Sequence, residues 1–383
     1  MKFIYVTTSL ETNDYNEFNK VWSVSLNPSN QNFHNKIIRA LAINNEVDVI
    51  SIRPFSKAKC HLKYLKSDVK KIGNITYHYL KIHRNSFSRW MSVKKQAKKL
   101  IGELMDKDTV LITDTINPKC LSITNLVQKK YHITALGICT DSPSNITGST
   151  KTYVDYLLKH AHKLDGYITL TEGLNILFNV NKKKYVTIEG IVESQSVEAS
   201  SVDEKYIFFG GALLPRYGVY NLIEAFKKID NKDVKLLICG HHADEKKIKE
   251  EIDNDERIKY LGTLPVQEVL ALEAGAIANI NPRPFTQDLD RLSIPSKTLE
   301  YLASGSLTIS VRNTELEKTF KDYALWAKSG EVNDLYIAMS EAINMDEITR
   351  KNIAKQAQKI AISHYSLEKV SELITDFAMD FIK

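Results

Sequence analysis

The sequence predicts an α/β protein built from two doubly wound, Rossmann-like parallel sheets. Short apolar, β-branched runs alternate with amphipathic segments along almost the whole chain, which is the pattern of successive βαβ units. The runs are nearly continuous in hydrophobicity, as in sheets that helices cover on both faces. A chain of 383 residues is also too long for one ordinary core. We therefore expect two domains of similar size.

The first domain is predicted from the runs that precede a polar stretch. Its predicted strands are KFIYVTT, EVDVISI, TVLITD, ITALGIC, GYITLT and YVTIE. Its clearest predicted helices are FHNKIIRALAIN and TKTYVDYLLKHAHKL, in which apolar residues recur at helical spacing. The serine-rich stretch at 192–205 has no apolar period and is typical of a linker. Residues 1–195 are thus expected to form this domain.

A second domain over 203–360 is predicted from the same alternation. Its predicted strands are YIFFGG, VKLLICG, IKYLG, IANINP and LTISV. Its predicted helices are GVYNLIEAFKKI, VQEVLALE and SKTLEYLA. The remaining segment, 361–383, is also helical in pattern.

Composition excludes several classes of protein. No apolar run approaches the ~20 residues that a membrane span requires. The opening MKFIYVTTSL lacks the apolar core and cleavage site of a signal peptide, so a cytoplasmic protein is expected. The four cysteines are scattered and form no CxxC pair, and the histidines lack a ligand spacing, so neither a metal nor a cofactor is predicted.

The net charge of +6 is uneven, and residues 89–107 form a basic amphipathic helix. Such a helix is typical of a surface helix that packs on its own sheet with a solvated lysine face, which is the interpretation we favour. The alternative is peripheral contact with an anionic membrane, at the inner face of the membrane. No nucleic-acid-reading motif accompanies the charge, so nucleic acid is not an expected partner.

Ligands of open parallel sheets bind beyond the carboxyl ends of the strands, so the glycines there are candidate site residues. Gly211 ends one predicted strand, Arg216 follows, and Gly218 opens the next helix, whose N-terminus can face a phosphate. Gly240 ends the next strand in the same way. Each glycine is also consistent with a plain turn.

A third strand end precedes RLSIPSKTLEYLASGSLTIS, residues 291–310. Pro295 suits the first turn of a helix, and Ser293 or Ser296 can cap it. Glu300 lies off the apolar stripe of that helix, where a carboxylate can accept two ribose hydroxyls. Lys297 lies one turn earlier and can meet a phosphate. The alternative is an exposed ion pair at i, i+3.

The order of these segments resembles the donor-binding domain of the retaining glycosyltransferases of the GT-B fold, glycosyltransferase family four. The family's glycine loop corresponds to Gly211, Leu213 and Gly218, followed by LIEAF and then by VKLLICG. Its P-S-K-x-x-E-Y-x-A-S-G segment corresponds to residues 295–305 almost residue for residue. The resemblance implies two Rossmann-like domains that face each other across a cleft, with a C-terminal helix that crosses back to the first domain.

The resemblance also implies an activity, namely transfer of a sugar from a nucleotide-sugar donor, expected to be a UDP-sugar, to a glycan or lipid-linked acceptor with retention. Such a hexosyltransferase would serve the synthesis of surface polysaccharide or glycoconjugate. Glu300 would bind the ribose of the donor. The remaining predicted donor-binding residues are Gly211, Arg216, Gly240, Arg291, Ser296, Lys297 and Thr298. On the acceptor side we predict Asn30 and His34, with Asp141 near the reacting sugar, where an Asx turn or a helix cap is the alternative.

The chain departs from the family at three positions. Ala212 and Tyr217 replace an arginine and a lysine of the glycine loop, and Leu292 stands where the family has a first glutamate. Arg216 or Arg291 is the expected replacement for the missing cations. The departures also support an alternative function, a catalytically silent GT-B-like partner or glycan-binding subunit. A nucleotide-sugar epimerase of similar architecture is a further alternative.

Overall fold

The chain divides into two units, Met1–Ile191 with Leu367–Lys383, and Val192–Ser366. The computed structural model describes residues 1–22, 28–54, 63–83, 86–146, 148–193, 198–200, 202, 204–241, 244–253 and 255–382. Part of the predicted linker, at 194–197, 201 and 203, therefore lies outside the described residues.

The first unit contains a large sheet and a small two-stranded one. Its strands are β1 (Lys2–Thr7), β2 (Glu46–Ser51), β3 (Tyr64–Leu65), β4 (Asp68–Ile72), β5 (Ile75–Tyr79), β6 (Ile82–His83), β7 (Thr109–Asp114), β8 (Ala135–Cys139), β9 (Gly166–Thr169) and β10 (Tyr185–Thr187). The large sheet has the order β10-β9-β8-β7-β1-β2-β5-β4, and β3 pairs with β6. All pairs of the large sheet are parallel except β4 with β5.

Helices cover the first sheet and connect its strands. They are α1 (Thr12–Trp22), α2 (Pro28–Leu41), α3 (Ser86–Leu104), α4 (Pro118–Tyr131), α5 (Lys151–Ala161) and α6 (Glu172–Phe178). The central strands β1, β7 and β8 are buried along nearly their whole length, as the continuous hydrophobic runs predict.

The second unit has one parallel sheet. Its strands are β11 (Lys205–Ala212), β12 (Val234–His241), β13 (Ile258–Tyr260), β14 (Ala278–Asn281), β15 (Leu307–Val311) and β16 (Leu325–Ala327). Their order is β13-β12-β11-β14-β15-β16, which reads 3-2-1-4-5-6 in chain order within the unit. This is the Rossmann strand order, and its direction reverses between β11 and β14.

Eight helices are described in the second unit. They are α7 (Val219–Lys227), α8 (Glu245–Ile252), α9 (Val266–Gly275), α10 (Gln287–Leu292), α11 (Ser296–Ala303), α12 (Thr314–Phe320), α13 (Val332–Asn344) and α14 (Glu347–Tyr365). The core lies between the sheet and helices α7 and α13, with Phe226, Ile238 and Met339 buried there.

The last helix, α15 (Leu367–Met379), belongs to the first unit, where it packs on α2. Its buried side is formed mainly by apolar residues such as Val370, Ile374 and Ala378. Asn45 donates a hydrogen bond of 3.1 Å from its amide nitrogen to the Thr375 hydroxyl and ties the helix to the end of α2. The predicted α/β fold class with parallel sheets is confirmed.

Candidate functional site

The carboxyl ends of β11 and β14 form the candidate site of the second unit. The strand order reverses between these two neighbours, and ligands of open parallel sheets bind at such a switch point. Gly218, with φ of +81°, starts α7, and a Cβ there would lie 2.9 Å from the carbonyl carbon of Pro282 just after β14. The start of α7 therefore contacts the end of β14. No side chain caps α7.

Gly211 and Gly240 face each other in the register of β11 and β12. Gly240 has φ of +148°, and a Cβ on it would overlap the Gly211 carbonyl oxygen. The sequence predicted Gly240 as a point of ligand approach. The missing side chain makes room for the neighbouring strand, and the approach of a ligand at Gly240 stays a prediction.

Tyr217 lies close to two guanidinium groups at this edge. The guanidinium carbons of Arg216 and Arg283 are each 5.2 Å from the centre of the Tyr217 ring. Arg216 belongs to a short 3-10 turn before Gly218, and Arg283 follows the end of β14. Stacking on an aromatic ring is typical of arginine and leaves its N–H groups directed outward from the ring edge. Sequence reasoning predicted Arg216 and missed Arg283.

Helix α11 begins at Ser296, with Pro295 in the capping position and no side-chain cap. Neither Ser293 nor Ser296 therefore caps the helix, in contrast to the sequence prediction. Ser296 is exposed in the first turn. Without a side-chain acceptor, the first N–H groups of α11 are suited to an anionic ligand.

Thr298 points into the protein and has no exposure. Its hydroxyl accepts a hydrogen bond of 2.9 Å from the Asn281 amide and is 2.8 Å from the Ser310 hydroxyl oxygen. The side chain thus joins α11 to the ends of β14 and β15. Thr298 therefore supports the site from inside the protein, and its side chain is not exposed to a ligand.

Lys297 and Glu300 form the ion pair that their spacing predicts, with Nζ 3.0 Å from Oε2 of Glu300. A second carboxylate was not predicted. Oε1 of Glu273, on α9, is also 3.0 Å from the Lys297 ammonium nitrogen, and the Glu273 side chain is fully buried. Burial alone would lower the pKa of Lys297, but Glu300 and Glu273 raise it well above its usual value. Lys297 is therefore a charged bridge between two acids.

Tyr301 connects this ion cluster to the glycine loop. Its ring lies 5.4 Å from the Lys297 ammonium, and its hydroxyl accepts a hydrogen bond of 3.0 Å from the Gly210 amide. The same hydroxyl donates to the Gly210 carbonyl at 3.2 Å. Burial raises the pKa of Tyr301, so the hydroxyl remains protonated. These bonds fix α11 against the last residues of β11.

Arg291 lies in the last turn of α10, where it is exposed. Leu292 follows it and is half-buried. The nearby Asp290 accepts hydrogen bonds from the Asn313 amide at 2.9 Å and from the Thr314 backbone N–H at 2.8 Å. Asp290 therefore anchors the start of α12. It does not take the place of the glutamate that the family has where this chain has Leu292.

In the first unit, Asp141 follows β8 and organises a turn. Its Oδ1 accepts hydrogen bonds from the Ser142 N–H at 2.7 Å and from the Asn145 amide at 2.9 Å. The backbone N–H bound is that of the next residue and not the one two residues on, so this is not the Asx turn that the sequence offered as an alternative, and the role near the sugar stays a prediction. The carboxylate is half-buried.

The two predicted acceptor-side residues lie in different environments. Asn30, on α2, lines a cleft with Thr8 and Ile52, which follow β1 and β2, and with Asn117 just before α4. His34, one turn further along α2, is fully buried, and its Nδ1 is 2.6 Å from the Tyr5 hydroxyl oxygen. The structure thus places Asn30, but not His34, where a ligand can reach it.

The basic helix α3 packs on its own unit. Its apolar side chains Val93, Ala97 and Ile101 are buried, while Lys95 and Lys99 are exposed. This is the arrangement of a surface helix with a solvated lysine face. Among the described residues, none of the helices combines the length and the apolar character needed to cross a membrane.

Comparison with known proteins identifies the second unit. Residues 192–360 match the family model described as glycosyl transferases group 1. The match spans the switch point between β11 and β14 and confirms the resemblance deduced from the order of the motifs. None of the curated proteins matches the chain.

Three solved structures share the fold along nearly the whole chain. The sucrose-phosphate synthase from Thermosynechococcus elongatus is 13% identical, with a TM-score of 0.71, and the match covers 100% of this chain and 99% of that chain. The Anabaena protein HepE in complex with UDP is 13% identical, with a TM-score of 0.70 and coverage of 99% and 100%. The E. coli trehalose-6-phosphate structure bound with UDP-2-fluoro glucose is 11% identical, with a TM-score of 0.68 and coverage of 99% and 99%.

The fold is therefore that of the GT-B glycosyltransferases, with two Rossmann-like domains. Within it, residues 192–360 of the second unit are similar to the glycosyl transferases group 1.

Proposed function

We propose that this protein transfers a sugar from a UDP-sugar to a glycan or lipid-linked acceptor with retention of the anomeric configuration. The observation that carries the proposal is the switch point between β11 and β14. Arg216 precedes the start of α7 there, Arg283 follows β14, and Glu300 lies on α11. Two structural neighbours support the choice of nucleotide, since HepE is described in complex with UDP and the E. coli structure with UDP-2-fluoro glucose.

In this proposal Glu300 binds the ribose of the donor. Its side chain is 36% exposed on α11, at the open side of the sheet edge. A carboxylate that accepts hydrogen bonds from two hydroxyls gives charge-assisted bonds, which are stronger than neutral ones. An acid gripping a ribose is the arrangement that Rossmann dinucleotide folds use.

The diphosphate then meets the backbone N–H groups at the starts of α7 and α11, together with Arg216 and Arg283. Lys297 contributes little additional charge, because two carboxylates already share its ammonium group. The two stacked arginines supply the cations that Ala212 and Tyr217 lack. With this positive charge at the phosphates, we expect no metal ion or other cofactor.

The acceptor is assigned to the cleft of the first unit beside Asn30. Thr8 and Asn117 add polar groups to its wall, and Lys119 adds a cation. Hydroxyls of a glycan suit such amide and hydroxyl groups as hydrogen-bond partners. Asp141 remains a proposed neighbour of the reacting sugar. Retaining transfer by the family lets the leaving phosphate take the acceptor proton, so the proposal requires no separate base.

The setting we propose is the synthesis of surface polysaccharide or glycoconjugate at the cytoplasmic side of the membrane. Lys95 and Lys99 project from α3 and support contact with anionic lipid headgroups through charge alone, because the apolar side of the helix is buried. Flotation with vesicles containing anionic lipid tests this contact. If the full chain does not bind these vesicles at low salt, the proposed membrane contact is wrong.

Calorimetric titration of the full chain with UDP, GDP, ADP and UDP-sugars tests the donor site. We expect UDP to bind and Glu300→Gln to weaken it by at least about tenfold, since hydrogen bonds to a charged group contribute about 1.5–3 kcal/mol. Glu315→Gln is the matched control, because Glu315 forms an exposed i, i+3 pair with Lys318 at 3.0 Å. Equal binding by both variants would contradict the assignment of Glu300. Retention is read from the anomeric proton coupling of the product by NMR.

A catalytically silent partner is the second candidate, and Leu292 favours it. Asp290, two residues before Leu292, does not replace the missing glutamate, because it is bound to the start of α12. Such a protein would bind the nucleotide without consuming it. Release of UDP from a UDP-sugar by the purified protein alone would exclude this candidate.

A further inference from the structure

A buried glutamate lies behind the Lys297–Glu300 pair. Glu273 stands near the end of α9, its side chain has no solvent exposure, and its Oε1 accepts a hydrogen bond of 3.0 Å from Lys297 Nζ. A carboxylate that is removed from water is strongly disfavoured unless a cation pairs with it. Lys297 is therefore the counter-ion of Glu273 before any ligand binds.

The Lys297 ammonium is shared between an inner and an outer acid. Its nitrogen is 3.0 Å from Glu273 on the inner side and 3.0 Å from Glu300 on the outer side. An ammonium group carries three N–H donors, so it can bond both carboxylates at once. The Tyr301 ring, 5.4 Å away, limits its movement further. The ammonium is thus fixed between α9 and the exposed side of α11.

We propose that Glu273 is a positioning residue for the donor site, which anchors Lys297 so that Glu300 keeps acceptor sites for the ribose hydroxyls. The role rests on the proposed function, in which Glu300 binds that ribose. A carboxylate offers about four lone-pair sites, and an anchored ammonium occupies only part of them. Without the charge of Glu273, the ammonium pairs with Glu300 alone and competes with the ribose hydroxyls.

If Glu273 acts by holding the Lys297 ammonium, removal of Lys297 should also remove the effect of a Glu273 substitution on UDP binding. Glu273→Gln is expected to weaken UDP binding about tenfold, as measured by calorimetry on the full chain. In Glu273→Gln/Lys297→Met neither the buried charge nor the competing ammonium remains. Binding by this double variant should therefore return to within about threefold of the unmodified protein.

Two controls separate positioning from general support of the fold. Glu268→Gln changes an exposed glutamate of the same helix and should bind UDP like the unmodified protein. Glu273→Asp keeps the negative charge and should bind UDP within about threefold of the unmodified protein. Urea unfolding of each variant shows whether it is folded. If Glu273→Gln is not folded, UDP binding by the double variant and by Glu273→Asp is the test.

The outcomes are distinct. Unchanged UDP binding in Glu273→Gln, or equal weakening in Glu273→Gln and the double variant, would overturn the role of Glu273 alone. Weakening that is restored in the double variant supports it. If the unmodified protein and Glu268→Gln bind neither UDP nor a UDP-sugar, the proposed function fails, and the positioning role fails with it.

Discussion

Replacing Gly240 by alanine tests whether the close approach of β11 and β12 requires a glycine at position 240. The new Cβ would overlap the Gly211 carbonyl oxygen and lie 2.8 Å from the Gly211 carbonyl carbon, both of them backbone atoms that cannot rotate away. Alanine also disfavours φ of +148°, at a cost of about 1–3 kcal/mol. Overpacking adds about 1–3 kcal/mol. We expect a total loss of about 4 kcal/mol.

A loss of this size is a large part of the stability of a natural domain, about 5–15 kcal/mol. For a unit of this length it lowers the melting temperature by about 10 °C, at about 2–4 °C per kcal/mol. The assay is thermal unfolding of the full chain, with hydrogen exchange in the peptides that contain β11 and β12 to show that the second unit is affected.

The matched control is alanine at the partner glycine. A Cβ on Gly211 meets only ring carbons of Phe209, the nearest at 3.6 Å, and the backbone there lies outside the left-handed region. Gly211→Ala should therefore change stability by less than about 1 kcal/mol, as for an exposed or loosely packed site. If Gly240→Ala melts within 2 °C of the unmodified protein, or if both alanines are equally harmful, the reasoning from this contact is wrong.

Three further predictions address the site and the first unit. Arg283→Ala should weaken UDP binding about tenfold by calorimetry, with less dependence on salt, because one of the cations that we propose for the diphosphate is lost. Thr298→Val should lower stability to urea by about 1–3 kcal/mol, since the buried Asn281 amide loses its acceptor, while UDP affinity stays unchanged. Burial alone would raise the pKa of Asp48, but hydrogen bonds from His78 and Lys2 hold it below its usual value. This stabilisation is fully present above the unfolded Asp pKa of about 4, and it is lost as the pH falls through the lower, folded pKa. In that pH range the urea midpoint of Asp48→Asn should therefore depend less on pH than the midpoint of the unmodified protein does.

Sequence reasoning located the main strands because burial on both faces leaves a continuous hydrophobic run. The residues of β7 and β15 are all buried, and both strands were predicted. It missed β4, in which exposed residues predominate, its mostly buried partner β5, and the three-residue edge strand β16. Gly73-Asn74 between β4 and β5, with φ of +56° at Gly73, is a hairpin signal that could have revealed the first of these.

Within the site, sequence reasoning found partners that share one helix and missed those that come from other segments. Lys297 and Glu300 are three residues apart, so their ion pair could be predicted from helical spacing. Glu273 is 24 residues from Lys297, and Arg283 reaches Tyr217 only because β14 lies beside β11. An acid within the apolar VQEVLALE run was the one available signal for Glu273.

His34 shows the opposite error. It follows a polar segment and was predicted to line the acceptor side, yet α2 packs on the sheet and directs this side chain inward. Its Nε2 lies 3.5 Å from an Asp114 carboxylate oxygen, and Tyr5 bonds the other ring nitrogen. Periodicity alone could not distinguish an inward histidine from an outward one, because a polar residue on the inner side of a helix is recognisable only from its partners.

The position of α15 in the chain has a consequence for biosynthesis. The helix covers α2 in the first unit, yet its residues follow the whole of the second unit in the sequence. A ribosome therefore completes Val192–Ser366 while the apolar surface of α2 is still uncovered. Domains generally fold as units during synthesis, N-terminal ones first. Here the first unit can bury this surface of α2 under α15 only after the second unit has been synthesised.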